Sequence, residues 1–140
     1  MRTLLLAGLA VAACSRGGRT PAQTYAGTWE GRSFRAQGDT GVRWTNVITA
    51  GADGKLTGSL TYPGANLPPV AVRVIEVTDS TVVQDLGPYH SVTLNADVIT
   101  RAEGHIKGDS VWGTFEARPT GGGAPLRGTF AGKRTQRPAT

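Results

Sequence analysis

The chain repeats one five-residue pattern, found at residues 25–29, 56–60, 111–115 and 126–130. Each copy has a large apolar residue, any residue, Gly, Thr or Ser, and a second large apolar residue. Because side chains alternate between the two faces of a β-strand, the first, third and fifth positions share one face. The pattern therefore predicts strands whose buried face alternates large residue, Gly and large residue, which is typical of a β-barrel wall.

Turn-forming residues separate further segments of strand-like alternation. With 20 Gly, 8 Pro and one Met in 140 residues, the chain favours turns over helices. Residues 87–90 interrupt the alternation, and the segment 103–118 either bends at 107–110 or splits there into a hairpin. The candidate strands are about 25–35, 42–50, 55–62, 70–77, 81–86, 91–100, 103–118 and 126–134.

This spacing predicts an all-β fold, an eight-stranded up-and-down antiparallel β-barrel with hairpin links. An open sandwich is the alternative, because alternation alone does not show that the last strand pairs with the first. The predicted barrel domain covers residues 25–134 and is followed by a polar tail at 135–140.

The predicted inward faces supply the candidate binding residues. An eight-stranded barrel is either filled by its side chains or holds one small ligand. In the sixth segment, Val92, Leu94, Ala96 and Val98 share one predicted inward face. The candidate ligand-binding residues are Trp44, Leu60, Tyr62, Val72, Leu94 and Phe115.

The first residues form a separate segment. Arg2 precedes an apolar run from residue 4 to residue 12. A membrane-spanning helix needs about 20 apolar residues, so the run predicts a signal peptide over residues 1–13. There are two alternatives to a lipoprotein signal peptide. One is an uncleaved anchor, and the other is an ordinary signal peptide that is followed by chance by a cysteine, Cys14. Residues 14–24 lack an apolar pattern and are expected to be a flexible tether.

Small residues precede Cys14, the only cysteine. This arrangement resembles the lipobox of bacterial lipoproteins, in which the cysteine is acylated, for example with palmitate. The resemblance implies a protein anchored to the membrane of the bacterial cell envelope through Cys14. Ser15 at the next position favours the outer membrane over the inner membrane by the usual sorting rule.

Gly27-Thr28-Trp29, near the start of the first strand, resembles the Gly-x-Trp signature of the calycins, the superfamily of lipocalins, fatty-acid-binding proteins and avidins. The resemblance implies that a basic residue of the last strand stacks on the Trp and closes the barrel. Arg134 has the matching parity, and Lys133 is the alternative. The chain has no C-terminal helix pattern and no second cysteine, so it is closest to the looser lipocalin-like group.

Residues 49–59 resemble a hairpin of bacterial avidins. Biotin binding in that family needs a Tyr and a Ser just beyond the hairpin, where this chain has Leu60 and Tyr62. Trp112 is expected to face outward, because its parity is opposite to that of Phe115. We therefore do not expect biotin binding.

Candidate catalytic and metal-binding residues are sparse. His90 and His105 are the only histidines and have no closely spaced ligand partners, so no metal site is expected. Asp85, Asp97 and Glu103 lie on different predicted strands, and their spacing does not indicate a carboxylate pair. No Gly-x-Ser-x-Gly elbow or phosphate-binding loop is present, so no enzyme activity and no cofactor are expected.

The formal net charge of +5 is not arranged as a basic patch interleaved with aromatic residues, so no nucleic-acid partner is expected. Two hypotheses follow. The first is a lipid-anchored, monomeric lipocalin-like barrel that encloses a small apolar or amphipathic molecule. The second is a filled barrel that acts as a structural or protein-interaction module of the envelope.

Overall fold

The structure, a computed structural model, describes residues 17–139, in which a short helix precedes a ring of β-strands. No helix in this range is long and apolar enough to span a membrane. The helix α1 is Pro21–Tyr25, and the strands are β1 Gly27–Phe34, β2 Val42–Ala50, β3 Leu56–Thr61, β4 Val70–Val77, β5 Thr81–Ser91, β6 Ala96–Lys107, β7 Ser110–Pro119 and β8 Leu126–Gln136.

Each strand pairs antiparallel with the next along the chain, and β8 pairs with β1 to close the barrel. In the closing pair, Trp29 lies opposite Arg134 and Gly31 lies opposite Gly132. Closure leaves no strand edge unpaired, so the ladder groups of every strand have partners on both sides. The predicted eight-stranded up-and-down antiparallel barrel is confirmed, and the open-sandwich alternative is wrong.

Pairs of glycines on neighbouring strands make room for aromatic rings inside the barrel. Trp44 lies opposite Gly31, which lies opposite Gly132 on the next strand. A Cβ atom added to Gly132 would lie 2.5 Å from an indole carbon of Trp44. Phe130 makes a similar approach to Gly104, where an added Cβ would lie 3.0 Å from the ring. The recurring glycines therefore leave the space that these rings occupy.

A row of alternating charges crosses the outer face of β4 to β8. Its members lie directly opposite one another in the strand register, in the order Arg73, Asp85, Arg101, Glu116 and Arg127. Arg101 donates two hydrogen bonds to Asp85, of 2.8 and 3.0 Å. Hydrogen bonds from Arg101 hold the pKa of Asp85 below its usual value, and those from Arg127 do the same for Glu116. We call these five residues the charge row.

Strand β5 continues through residues 87–90, where the sequence predicted an interruption. The register between β5 and β6 shifts between Leu86 and Tyr89. Gly87 has a φ of 104°, which side-chain-bearing residues rarely adopt. A β-bulge at Gly87 therefore absorbs the irregularity, and the strand reaches Ser91.

The prediction of a sixth strand at 91–100 is wrong in its first half. Residues 92–95 form the turn between β5 and β6, and Val92 is 74% exposed. Asn95 has a φ of 47°, a left-handed conformation that Asn tolerates better than most residues. Val92 and Leu94 therefore do not belong to an inward strand face, whereas Val98 is fully buried.

The segment predicted at 103–118 contains a hairpin, the second of its two predicted alternatives. Residues 103–107 complete β6, and β7 begins at Ser110. Gly108 has a φ of 59° in the intervening turn. The strand count remains eight. The second half of the predicted strand 91–100 and the start of the predicted strand 103–118 form one strand, β6, and the remainder of the latter forms β7.

The interpretation of residues 14–24 as a flexible tether is wrong from Pro21 onward, because α1 begins there. Thr20 caps the helix: its Oγ1 accepts a hydrogen bond from Gln23 N at 3.3 Å, and its N–H donates to Gln23 Oε1 at 3.1 Å. Pro at the first helical position and this reciprocal capping box favour the turn. The helix ends at Tyr25, which is buried.

Gly132→Ala is expected to destabilise the protein by about 1–3 kcal/mol, because the new methyl group would overpack against Trp44. The measurement is the free energy of unfolding in urea. Gly121→Ala is the matched control, because no atom lies within 4 Å of a Cβ added there. Equal effects of the two substitutions would contradict the proposed role of Gly132.

Acid is expected to weaken the charge row. The pKa of Asp85 is lowered in the folded protein, so its contribution is fully present above the unfolded-state pKa of about 4 and is lost as the pH falls through the folded value. Asp85→Asn should therefore reduce stability at pH 7 and flatten its decline below about pH 4. Urea midpoints between pH 7 and pH 2 measure this, with Asp79→Asn in the β4–β5 turn as the control. An unchanged acid limb in Asp85→Asn would contradict the prediction.

Candidate ligand-binding cavity

A cavity of about 300 Å³ lies inside the barrel. Its closed end, which we call the floor, is formed by Tyr25 and Trp29. At its other end it is lined by residues of the β1–β2, β3–β4 and β5–β6 loops, including Arg35, Leu67 and Val92. We call this loop end the mouth. A small molecule entering there would pass from exposed loops into a buried interior.

Trp29 forms the centre of the floor and is fully buried. Its Nε1–H donates a hydrogen bond of 2.9 Å to the backbone oxygen of Tyr25, and the two rings lie 5.3 Å apart. The guanidinium carbon of Arg134 lies 4.6 Å from the centre of the Trp29 ring. The contact expected between Trp29 and Arg134 is therefore present, and it joins the first strand to the last.

Arg134 also connects the floor to two further segments, and only 4% of its side chain is exposed. Its Nε donates to Asp109 Oδ1 at 2.9 Å, and one terminal nitrogen donates to Gly108 O at 3.3 Å. The other terminal nitrogen donates to Thr24 O and, at 3.1 Å, to Ala26 O. The hydrogen bond from Arg134 holds the pKa of Asp109 below its usual value.

Four of the predicted binding residues, Trp44, Leu60, Tyr62 and Phe115, line the cavity. The other two predicted binding residues do not line the cavity, and of these only Leu94 is wrongly placed. Val72 is buried beside Gly58, opposite it in the β3–β4 register, and does not line the cavity. Leu94 lies in the β5–β6 turn rather than on a strand and does not line the cavity either.

Three polar residues of the cavity wall were not predicted as site residues. Asn46, Gln84 and Thr100 are each less than 10% exposed and line the cavity. Each occupies a position of a strand whose neighbours two residues away are buried and mainly apolar. The sequence signal that could have identified these three residues is a polar residue whose neighbours two positions away in the strand are apolar.

Most of these polar groups have partners inside the barrel. The Tyr25 hydroxyl donates to Gln84 Oε1 at 3.2 Å, and the Tyr89 hydroxyl lies 2.8 Å from Thr100 Oγ1. Asn46 Oδ1 is different, because it is buried and has no hydrogen-bond partner within residues 17–139.

The interior of the cavity is electrically neutral. Burial raises the pKa of the Tyr25 and Tyr62 phenols above their ordinary value, so both hydroxyls stay protonated at physiological pH. Among the described residues that line the cavity none is acidic, and the basic ones are Arg35 and His90 near the mouth. The cavity is therefore suited to an uncharged apolar body.

Of the remaining candidate residues, only His90 and Asp97 are in contact with each other. Asp85 belongs to the charge row, whereas Asp97 lies 3.2 Å from His90 Nδ1. His105 packs against Trp112 on the outer face, with ring centres 5.8 Å apart, and Trp112 is 43% exposed. Within residues 17–139 no group of three His, Cys, Asp or Glu side chains could hold a metal ion. Cys14 lies outside the described residues.

Comparison with known proteins yields no protein-family model, no curated protein and no solved structure that matches the chain. The class of the protein is therefore defined by its fold: an eight-stranded antiparallel closed β-barrel, consistent with a lipocalin-like fold, with an interior cavity.

Arg134→Met is expected to destabilise the protein by about 3 kcal/mol, because it removes a buried cation–π contact and several charge-assisted hydrogen bonds. Arg134→Lys keeps the charge but loses the planar fork, so it should recover only part of this loss. Arg137→Met is the control, since Arg137 also binds Asp109, at 3.0 Å, but is exposed. Urea unfolding measures all three variants, and similar losses for Arg134→Met and Arg137→Met would contradict the closing role of Arg134.

Proposed function

We propose that this protein is a lipid-anchored, lipocalin-like binding protein of the bacterial envelope that encloses a small apolar or amphipathic molecule. The observation that carries the proposal is the cavity of about 300 Å³ inside the barrel, lined largely by aromatic and aliphatic side chains. Ligand sites commonly measure about 300–1,000 Å³, so the expected ligand is small. Binding would come from burial of apolar surface, about 25 cal/mol per Å², without bond chemistry.

Membership of the calycin superfamily is part of the proposal. It is supported by the Gly-x-Trp sequence at Gly27–Trp29 at the start of the first strand. It is also supported by Arg134, which stacks on Trp29 from the last strand of a closed eight-stranded barrel. This likeness of motif and geometry favours a carrier over the alternative of a filled structural barrel, because a carrier needs interior space and the cavity provides it.

Binding is tested with the neutral dye N-phenyl-1-naphthylamine, whose fluorescence rises in apolar surroundings. The protein is the full chain with Cys14→Ser, purified without detergent. Ala102 lines the cavity, so Ala102→Leu should fill part of it and weaken dye binding about tenfold or more. Ala71→Leu, on the exposed outer face of β4, should leave binding unchanged.

Dye binding that is absent, or that is equal in the two variants, would contradict enclosure in the barrel. Thermal unfolding of both variants checks that each is folded. Mass spectrometry of the protein taken from its own cells under native conditions gives an independent measurement, in which a reproducible co-purifying small molecule supports the proposal.

The proposed membrane anchor at Cys14, with outer-membrane delivery favoured by Ser15, has its own test. Cys14→Ser should move the protein from the membrane fraction to the soluble fraction, because no acyl chain can then be attached. Ser15→Ala, which keeps the cysteine, is the control and should stay with membranes. Retention of Cys14→Ser in the membrane fraction would contradict lipid anchoring.

A further inference from the structure

The side chain of Arg35 extends across the mouth of the cavity. Arg35 follows β1 directly, and its Nη1 donates a hydrogen bond of 3.3 Å to Thr93 Oγ1 in the turn between β5 and β6. Both residues line the cavity. In the ring of eight strands, β1 and β5 are separated by three strands on either side, so they lie on opposite sides of the barrel. A ligand that fills the interior therefore has its outer end next to the Arg35 guanidinium.

Most of the donor capacity of Arg35 is free to bind a ligand. A guanidinium group carries five N–H donors in a planar fork. Among the described residues its one hydrogen-bond acceptor is Thr93 Oγ1, and 46% of the Arg35 side chain is exposed. Asp39 Oδ2 lies 3.8 Å from Arg35 Nε, which is too far for a hydrogen bond.

The Asp39 carboxylate is bound to the backbone of its own loop. It accepts hydrogen bonds from Gly41 N at 3.0 Å and from Arg35 N at 3.1 Å. These bonds, chiefly the one from Gly41, hold the pKa of Asp39 below its usual value. Asp39 therefore stabilises the β1–β2 loop as an anion and leaves the terminal nitrogens of the guanidinium to other acceptors.

The polarity of the cavity lining changes from the floor to the mouth. Among the described lining residues none is acidic, and the basic ones, Arg35 and His90, are near the mouth. His90 Nδ1 lies 3.2 Å from Asp97 Oδ1, but Asp97 is not part of the lining. The interior is neutral and mainly apolar, so an ion placed there would lose its hydration without compensation. At the half-exposed mouth an anion keeps water on its outer side and gains Arg35 on its inner side.

We infer that the cavity binds an amphipathic anion, with a compact apolar body inside the barrel and a carboxylate or similar oxyanion hydrogen-bonded to Arg35 at the mouth. This inference rests on the proposed ligand-binding function and specifies its ligand class. Charge-assisted hydrogen bonds are about twice as strong as neutral ones, and the guanidinium fork matches the geometry of a carboxylate. A neutral head group gains less at this position, and a cationic one is repelled.

The test uses three probes that share a propylphenyl body and differ in the charge of the head group: 4-propylbenzoate, 4-propylbenzamide and 4-propylbenzylammonium. Binding to the full chain with Cys14→Ser is followed at low ionic strength by NMR shifts of the ¹⁵N-labelled protein. We expect the benzoate to bind about fivefold more tightly than the amide, because Arg35 is partly exposed, and the ammonium probe to bind most weakly. The benzoate should shift the Arg35 Nε–H signal, and all bound probes should shift that of Trp29 Nε1–H.

Arg35→Gln should abolish the preference for the benzoate and change the affinity for the amide by less than about twofold, because the apolar body does not depend on Arg35. Arg43→Gln is the matched control, since it removes the same charge from an exposed position of β2 outside the cavity lining. It should leave the preference unchanged, and thermal unfolding checks that both variants are folded. If Arg35→Gln does not fold, the preference of the unsubstituted protein and its decrease at high salt still decide the inference.

The outcomes separate the inference from the proposed function. Failure of all three probes to bind would overturn enclosure itself. Equal binding of the benzoate and the amide, or tighter binding of the ammonium probe, would overturn only the inference. A preference that survives Arg35→Gln, or one that is lost equally in Arg43→Gln, would mean that the net positive charge of the protein attracts the anion, and it would also overturn the inference.

Discussion

The pairing of β1 with β8 is the contact on which the rest of the barrel depends, and Arg134 secures it. These strands lie at opposite ends of the folded chain, so their pairing carries the largest loop-closure cost in the fold. Arg134 offsets part of this cost by stacking on Trp29 and by hydrogen bonding to α1 and to the β6–β7 turn. Trp29 also forms the centre of the floor. The pairing of the first and last strands and the closed end of the cavity therefore depend on the same side chain.

Glycine explains how a small barrel with several interior aromatic rings can retain space. Trp44 extends across glycines of β1 and β8, and Phe130 approaches Gly104 of β6. Because these wall positions have no side chain, the rings occupy the space that wall side chains would otherwise fill. These glycines lie outside the four copies of the repeated pattern, and they shape the interior of the barrel by making room for the rings.

The fold could be predicted because alternation is a local property of the chain. The Trp29–Arg134 contact could be predicted because the resemblance to calycins implied a basic residue of the last strand, and parity then selected Arg134. The bulge at Gly87 and the turn ending at Asn95 could not, since both depend on backbone conformations that the alternation does not encode. Asn46 has the same parity as Trp44, one of the predicted binding residues. Whether its amide finds a partner depends on neighbours brought together by the register, such as Trp29, and these lie far away in sequence.

The chain enters the barrel through α1, beside the floor, and the mouth lies at the opposite end of the strands. A lipid at Cys14, as proposed, would therefore attach the chain to the membrane at the floor end of the barrel. The mouth would then lie at the end of the barrel away from the attachment point, which favours ligand exchange with the aqueous compartment over lateral uptake from the bilayer. Such an arrangement suits a molecule that is soluble enough to diffuse through water.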